Sequence, residues 1–204
     1  MVAQSWLLAK KSMKSYYDLE FDEHAVVVSA TREHVRGGFD KMLDCWITCI
    51  KNGGKILFFG NGGSASDAQH LATELAVRYK KNRAPIAALA LTTDTSSLTA
   101  IGNDYGFDHL FARQISAIGK PGDVAVGIST SGRSSNVLEA LKVARSEGLI
   151  ATGLTGGDGG DMPGAADPLL IVPSSTTARI QEMHITLGQM LCGALELKLG
   201  LVSE

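Results

Sequence analysis

Ile56-Leu57-Phe58-Phe59-Gly60-Asn61-Gly62-Gly63-Ser64-Ala65-Ser66-Asp67-Ala68-Gln69-His70-Leu71-Ala72-Thr73-Glu74 joins a short apolar run, a glycine-rich turn and a helical stretch. The run predicts a buried strand, and the helix is expected to start near Ser64. A glycine-rich turn between strand and helix lets backbone N–H groups approach an anion, and the helix N-terminus adds partial positive charge. His70 and Glu74 lie four apart, on one helix face. The stretch therefore predicts an anion site of sugar-phosphate character, beside two groups able to bind metal or move protons.

Upstream, Val26, Val27, Val28, Val35, Phe39, Met42, Leu43, Trp46 and Ile47 recur at helical spacing, and Asn52-Gly53-Gly54 is a helix stop. Downstream, strands are expected at 55–60, 86–91, 123–128, 149–154 and 168–172. Helices are expected at 64–80, 107–118, 134–147 and 178–200. Strands alternating with helices predict an α/β fold, a three-layer α/β/α sandwich around a parallel sheet. A single domain spans 1–204: residues 1–24 as an arm or helix, 25–52 as an amphipathic helix, and 53–204 as the α/β core with a C-terminal helix. Gly156-Gly157-Asp158-Gly159-Gly160 is expected to be a flexible turn.

The 204 residues suffice for one full core, and 45% hydrophobic with 20% charged residues is a globular composition. A net charge of −2 gives no general attraction to nucleic acid or an anionic membrane, so neither is expected as a partner. No apolar run approaches the roughly 20 residues that span a bilayer, and the N-terminus lacks signal-peptide character. A cytoplasmic location follows as the expectation. Cys45 and Cys49 stand one helical turn apart, but with Cys192 they fit buried thiols of a reducing compartment better than a metal pair.

The second informative segment is Ser129-Thr130-Ser131-Gly132-Arg133-Ser134, between the strand Val124–Ile128 and the helix from Asn136. Four hydroxyl residues around a glycine at such a junction make a phosphate cradle that needs no metal. Capping of the helix by Ser134 or Ser135 would account for one hydroxyl only.

GNGGSASDAQH (60–70), STSGRSS (129–135), ARIQEMHI (178–185) and LTTDTSSLTAIGNDYGFDHLFARQ (91–114) together resemble the sugar isomerase (SIS) domain, and within it the bacterial phosphoheptose isomerases. The resemblance covers nearly everything from about residue 52 onward. It implies a flavodoxin-like five-stranded parallel sheet between helices, and a homotetramer with sites at subunit interfaces. It implies interconversion of sedoheptulose 7-phosphate and D-glycero-D-manno-heptose 7-phosphate for surface heptoses such as those of lipopolysaccharide. Carried across, Ser129, Thr130, Ser131 and Ser134 hold the sugar phosphate. Asn61, Gly62, Gly63, Ser64, Asn103 and Asp104 line the sugar, with Glu74 and Gln181 also in contact with it. Zinc falls to His70, Glu74, Gln181 and the position of Gln189, with Glu74 moving protons.

One departure stands out. The isomerases carry a histidine eight residues after the glutamine, as zinc ligand and catalytic acid or base, and here that position is Gln189. An amide does not titrate and cannot do acid–base work. His184 is no replacement, since it projects about 140° away from Gln189 around the helix. The sequence therefore predicts an isomerase with a weakened metal site and lowered turnover. The alternative is a non-catalytic SIS scaffold of the kind that binds a replication initiator, which lacks the counterpart of Glu74. A phosphosugar-sensing regulator is disfavoured, because no DNA-binding motif accompanies the domain.

Overall fold

A computed structural model describes residues 14–203. Five strands, β1 Ile56–Gly60, β2 Ala88–Ala90, β3 Val124–Ser129, β4 Ile150–Gly156 and β5 Leu169–Val172, form one sheet in the order β2-β1-β3-β4-β5. Every pairing is parallel. All residues of β1 and β3 are buried, which is why these strands are continuous apolar runs instead of alternating ones. Ile56 and Phe58 enter one core with Trp46, Leu71, Leu75, Met183 and Leu191. Leu57 and Phe59 enter the other, with Phe111, Ile115, Leu141 and Ala144. The sandwich of three layers is as expected.

The helices are α1 Tyr16–His34, α2 Arg36–Lys51, α3 Gly63–Ala76, α4 Thr95–Asp104, α5 Ala112–Ile118, α6 Ser135–Ser146 and α7 Thr177–Lys198. Here several expectations need correction. The amphipathic helix over 25–52 is two helices, the first beginning at Tyr16 where Ser15 caps it by accepting from the Asp18 N–H. They meet at Val35, and the bend brings Gly38 against β5, where a Cβ would lie 2.8 Å from Leu170. The first 13 residues, including Trp6, Leu7 and Leu8, lie outside the described residues. Helix α3 stops at Ala76 instead of continuing to 80. The expected helix 107–118 is a 3-10 turn, Phe107–His109, followed by α5.

Helix α4 has no counterpart in the sequence expectations. It buries no residue fully, and only Leu98 and Ile101 pack against the core, too short a stripe to reveal it. Its signal was the cap: the Asp94 carboxylate accepts from the N–H groups of Ser96 and Ser97. Helix α1 docks on α7 through the buried Arg179, which donates to the Glu20 carbonyl at 2.7 Å and the Glu182 carboxylate at 2.6 Å.

Candidate active site

The strand order reverses between β1 and β3, and in open parallel sheets the crevice at such a reversal receives ligands. Both informative loops open there, one after Gly60 and one after Ser129. They are tied together by Asn61 and Asn136, whose amides exchange two hydrogen bonds of 2.8 and 2.9 Å. Asn61 thus spends both amide groups on the link between loops.

In the second loop, Ser129 is buried and its Oγ lies 3.0 Å from Ser134 Oγ. Ser134 occupies the N-cap position of α6 without a side-chain capping bond, so its hydroxyl serves the loop and not the helix end. The Ser131 hydroxyl accepts from the Arg133 N–H. The turn after β4 braces this loop from behind: Asp161 N–H donates to the Gly132 carbonyl at 2.9 Å. Gly132 has φ +64°, and a Cβ there would lie 2.0 Å from the Gly159 carbonyl oxygen, so only glycine fits. The expected flexible turn is therefore a packed buttress. Arg133 donates to Asp158 at 2.8 Å across the two loops, and that hydrogen bond holds the Asp158 carboxyl below its ordinary pKa. A cavity of about 320 Å³ opens beside them, lined by Thr130, Ser131, Gly157, Ser174 and Ser175.

The acid–base and donor groups gather where α3 lies against α7. Gly63 backs onto Gln181, whose amide nitrogen would be 2.3 Å from a Cβ. Gly188 backs onto Leu71, at 2.5 Å by the same measure. These pairings advance together along both helices, so α3 and α7 run parallel, and missing side chains let them approach. On this seam His70 Nε2 lies 2.9 Å from Glu74 Oε1, and Gln189 Nε2 lies 3.4 Å from the same His70 nitrogen. One imidazole nitrogen cannot donate to Glu74 and also accept from an amide N–H. Turning the Gln189 amide over would instead set its oxygen against that nitrogen and free its N–H groups. Glu74 therefore faces His70 and not Arg78, the surface partner one turn away; its side chain is only 15% exposed.

The structure thus joins His70, Glu74 and Gln189 directly, and sets Gln181 at the start of the same helix. Ser64 is buried in the first turn of α3, after Gly62 as N-cap. Asn103 and Asp104 pair with one another at 2.8 Å at the exposed end of α4, with no hydrogen bond to the other site residues among those described. His184 is fully buried on the far side of α7, its Nε2 3.1 Å from the Thr155 carbonyl oxygen, and burial lowers its pKa to about 4. It packs and does not serve the site. Cys49 and Cys192 are buried free thiols, and burial raises both pKa values, that of Cys49 to about 11.

Sequence reasoning missed Asp67. Its spacing to His70 and Glu74 is i, i+3, i+7, which places all three on one stripe of α3. One carboxylate oxygen is buried without a partner. Burial raises its pKa to about 6, with His70 pulling part of the way back. Asn136 was also missed, although as a polar residue in the first turn of α6 it faces the crevice.

The SIS-domain family matches residues 21–156. A phosphoheptose isomerase of Paramagnetospirillum magneticum is 58% identical over 182 residues, covering 89% of this chain and 95% of that protein. Among solved structures, a phosphoheptose isomerase from Neisseria gonorrhoeae superposes with a TM-score of 0.83 at 45% identity, covering 89% of this chain and 97% of that one. One from Francisella tularensis gives 0.86 at 34% identity, covering 91% and 100%. Strand order, the two crevice loops and identity over nearly the whole length agree: the chain belongs to the phosphoheptose isomerases of the SIS-domain family.

Proposed function

We propose that this chain interconverts sedoheptulose 7-phosphate and D-glycero-D-manno-heptose 7-phosphate in the cytoplasm, supplying heptose for lipopolysaccharide or a related surface polymer. The observation that carries the reading is the convergence of Glu74, His70 and Gln189 beside two loops shaped for a phosphosugar. The Ser129–Ser134 loop holds the phosphate through hydroxyls and the α6 N-terminus. The first loop and the α3 stripe then face the carbonyl end. Isomerisation moves a proton between C1 and C2 through an enediolate, which requires a base at carbon and stabilisation at oxygen. Glu74 takes the C1 proton and returns it to C2, and a second proton passes from the O1 hydroxyl to O2, which becomes the aldose hydroxyl. Gln189 donates an N–H to the developing oxyanion but cannot exchange a proton with it.

The donor set fits zinc, though weakly. His70 supplies one imidazole nitrogen, Glu74 one carboxylate, and Gln181 and Gln189 only amide oxygens. Among the described residues no three His, Cys, Asp or Glu side chains assemble around one point. When bound, the ion supplies positive charge to polarise the sugar carbonyl.

Assembly as a homotetramer with shared interface sites is part of the proposal. It is supported by the exposed Leu19, Phe21, Val26 and Val28 of α1 and Met190 of α7. Of these, Val28 and Met190 line an apolar groove of about 380 Å³ together with Val35, Phe39 and Met183. No helix among the described residues is long and apolar enough to cross a membrane.

A coupled assay with sedoheptulose 7-phosphate, run with and without added zinc, tests the activity. Turnover stimulated by zinc is the expected result. Tight phosphosugar binding with no turnover in either condition would favour the scaffold reading, to which the non-titrating Gln189 lends its one supporting observation.

A further inference from the structure

Among the described residues one ion pair is fully buried, and it lies against the turn of α3 that carries Glu74. Arg83 follows α3 in the segment leading to β2, and Glu196 lies near the C-terminal end of α7. Arg83 Nε donates to Glu196 Oε1 at 2.8 Å, with the two side chains 0% and 2% exposed. The guanidinium spends its remaining donors on backbone: the Glu74 carbonyl at 2.7 Å, the Val77 carbonyl at 3.2 Å and the Ala84 carbonyl at 3.0 Å. Glu196 Oε1 also accepts the Tyr79 N–H at 3.0 Å.

We infer that Arg83 and Glu196 are positioning residues for Glu74, locking the last turn of α3 to α7 so that its carboxylate stays on His70 and Gln189. A helix leaves its final carbonyls without intrahelical partners, and α3 ends at Ala76, two residues past Glu74. Arg83 satisfies those carbonyls with a cation, which the helix C-terminus favours. Stability alone does not require such a pair, because well-packed apolar residues commonly replace buried ion pairs without loss. The forked geometry does something apolar packing cannot. It fixes the helical phase of the Glu74 turn against α7, which carries Gln189 two turns before Glu196. Glu74 is thereby held at both ends, its carbonyl by Arg83 and its carboxylate by His70.

The inference rests on the proposed isomerase reading, and its test separates the two. Arg83→Lys keeps a positive charge facing Glu196 but loses the fork. We expect kcat on sedoheptulose 7-phosphate to fall about 10- to 100-fold with KM within twofold, since the phosphate loop is untouched. Zinc affinity measured by calorimetry on metal-free protein should weaken about tenfold. Ile115→Ala, a truncation in the opposite core, is the stability control and should alter neither quantity. The inference is overturned if Arg83→Lys leaves both kcat and zinc affinity unchanged, or if Ile115→Ala reproduces its losses. Wild-type protein that binds zinc without turning the sugar over defeats the isomerase reading, while the zinc arm still decides the role of Arg83. Protein that does neither defeats both.

Discussion

At Gln189 one side chain decides between grip and turnover. Its amide lies 3.4 Å from the His70 ring nitrogen, but an amide does not titrate and cannot do acid–base work there. Gln189→His should raise kcat by ~10²–10⁴-fold with little change in KM, since a positioned acid–base group contributes about that much. Steady-state kinetics on both proteins checks this. A substantial rate unchanged by the substitution would pass the second proton transfer to Asp67, whose carboxyl titrates near 6. His184 makes a separate prediction about stability. Its folded pKa of about 4 lies below the ordinary 6.5, so the unfolded chain binds the proton first. The stability it confers is complete above about pH 6.5 and is lost as pH falls toward 4, by about 3 kcal/mol at most. Asp67 works oppositely: its raised pKa stabilises below about 3.8 and the effect is lost as pH rises through about 6. The difference between wild type and His184→Gln isolates the histidine. In urea titrations at pH 4 and 6.5, the variant should lose less stability on acidification. Parallel losses in the two proteins would sink the assignment.

Among the elements, the contact between α3 and α7 matters most, because it brings residues 70 and 189 within 3.4 Å. That closeness depends on absent side chains. Gly188→Ala would press a Cβ to 2.5 Å from the fully buried Leu71. We expect a cost of about 1–3 kcal/mol, the range for overpacking a filled core. The denaturation midpoint should fall with unchanged slope, and kcat should drop with it as His70 and Gln189 separate. Full activity at wild-type stability would show that the helices yield freely here. Helix identities were legible in the sequence wherever an apolar stripe faced a core, as for α3, α6 and α7. Helix α4 was invisible for want of buried residues, and the break at Val35 was hidden because the apolar spacing runs on across it.

For the whole molecule, the uncovered face of α1 and α7 leads to a prediction about assembly. Light scattering at micromolar concentration should give a mass four times 21.5 kDa, and Val28→Glu should lower it by charging the groove. A monomeric wild type would refute the tetramer and the shared sites together. The sequence by itself determined the parallel α/β sandwich, because fully buried strands must be continuous apolar runs and the helices between them must carry a stripe. It also placed the Ser129–Ser134 loop at a strand end and the His70–Glu74 pair on one helix face, since strand-end glycines, hydroxyls and i, i+4 spacing are local features. Only the tertiary structure decided that Asn61 is spent on Asn136, that Asp67 is desolvated, and that Arg83 reaches Glu196 across 113 positions. Those depend on which surfaces meet and what they exclude from water, and no local pattern of residues encodes the depth at which a charge ends up.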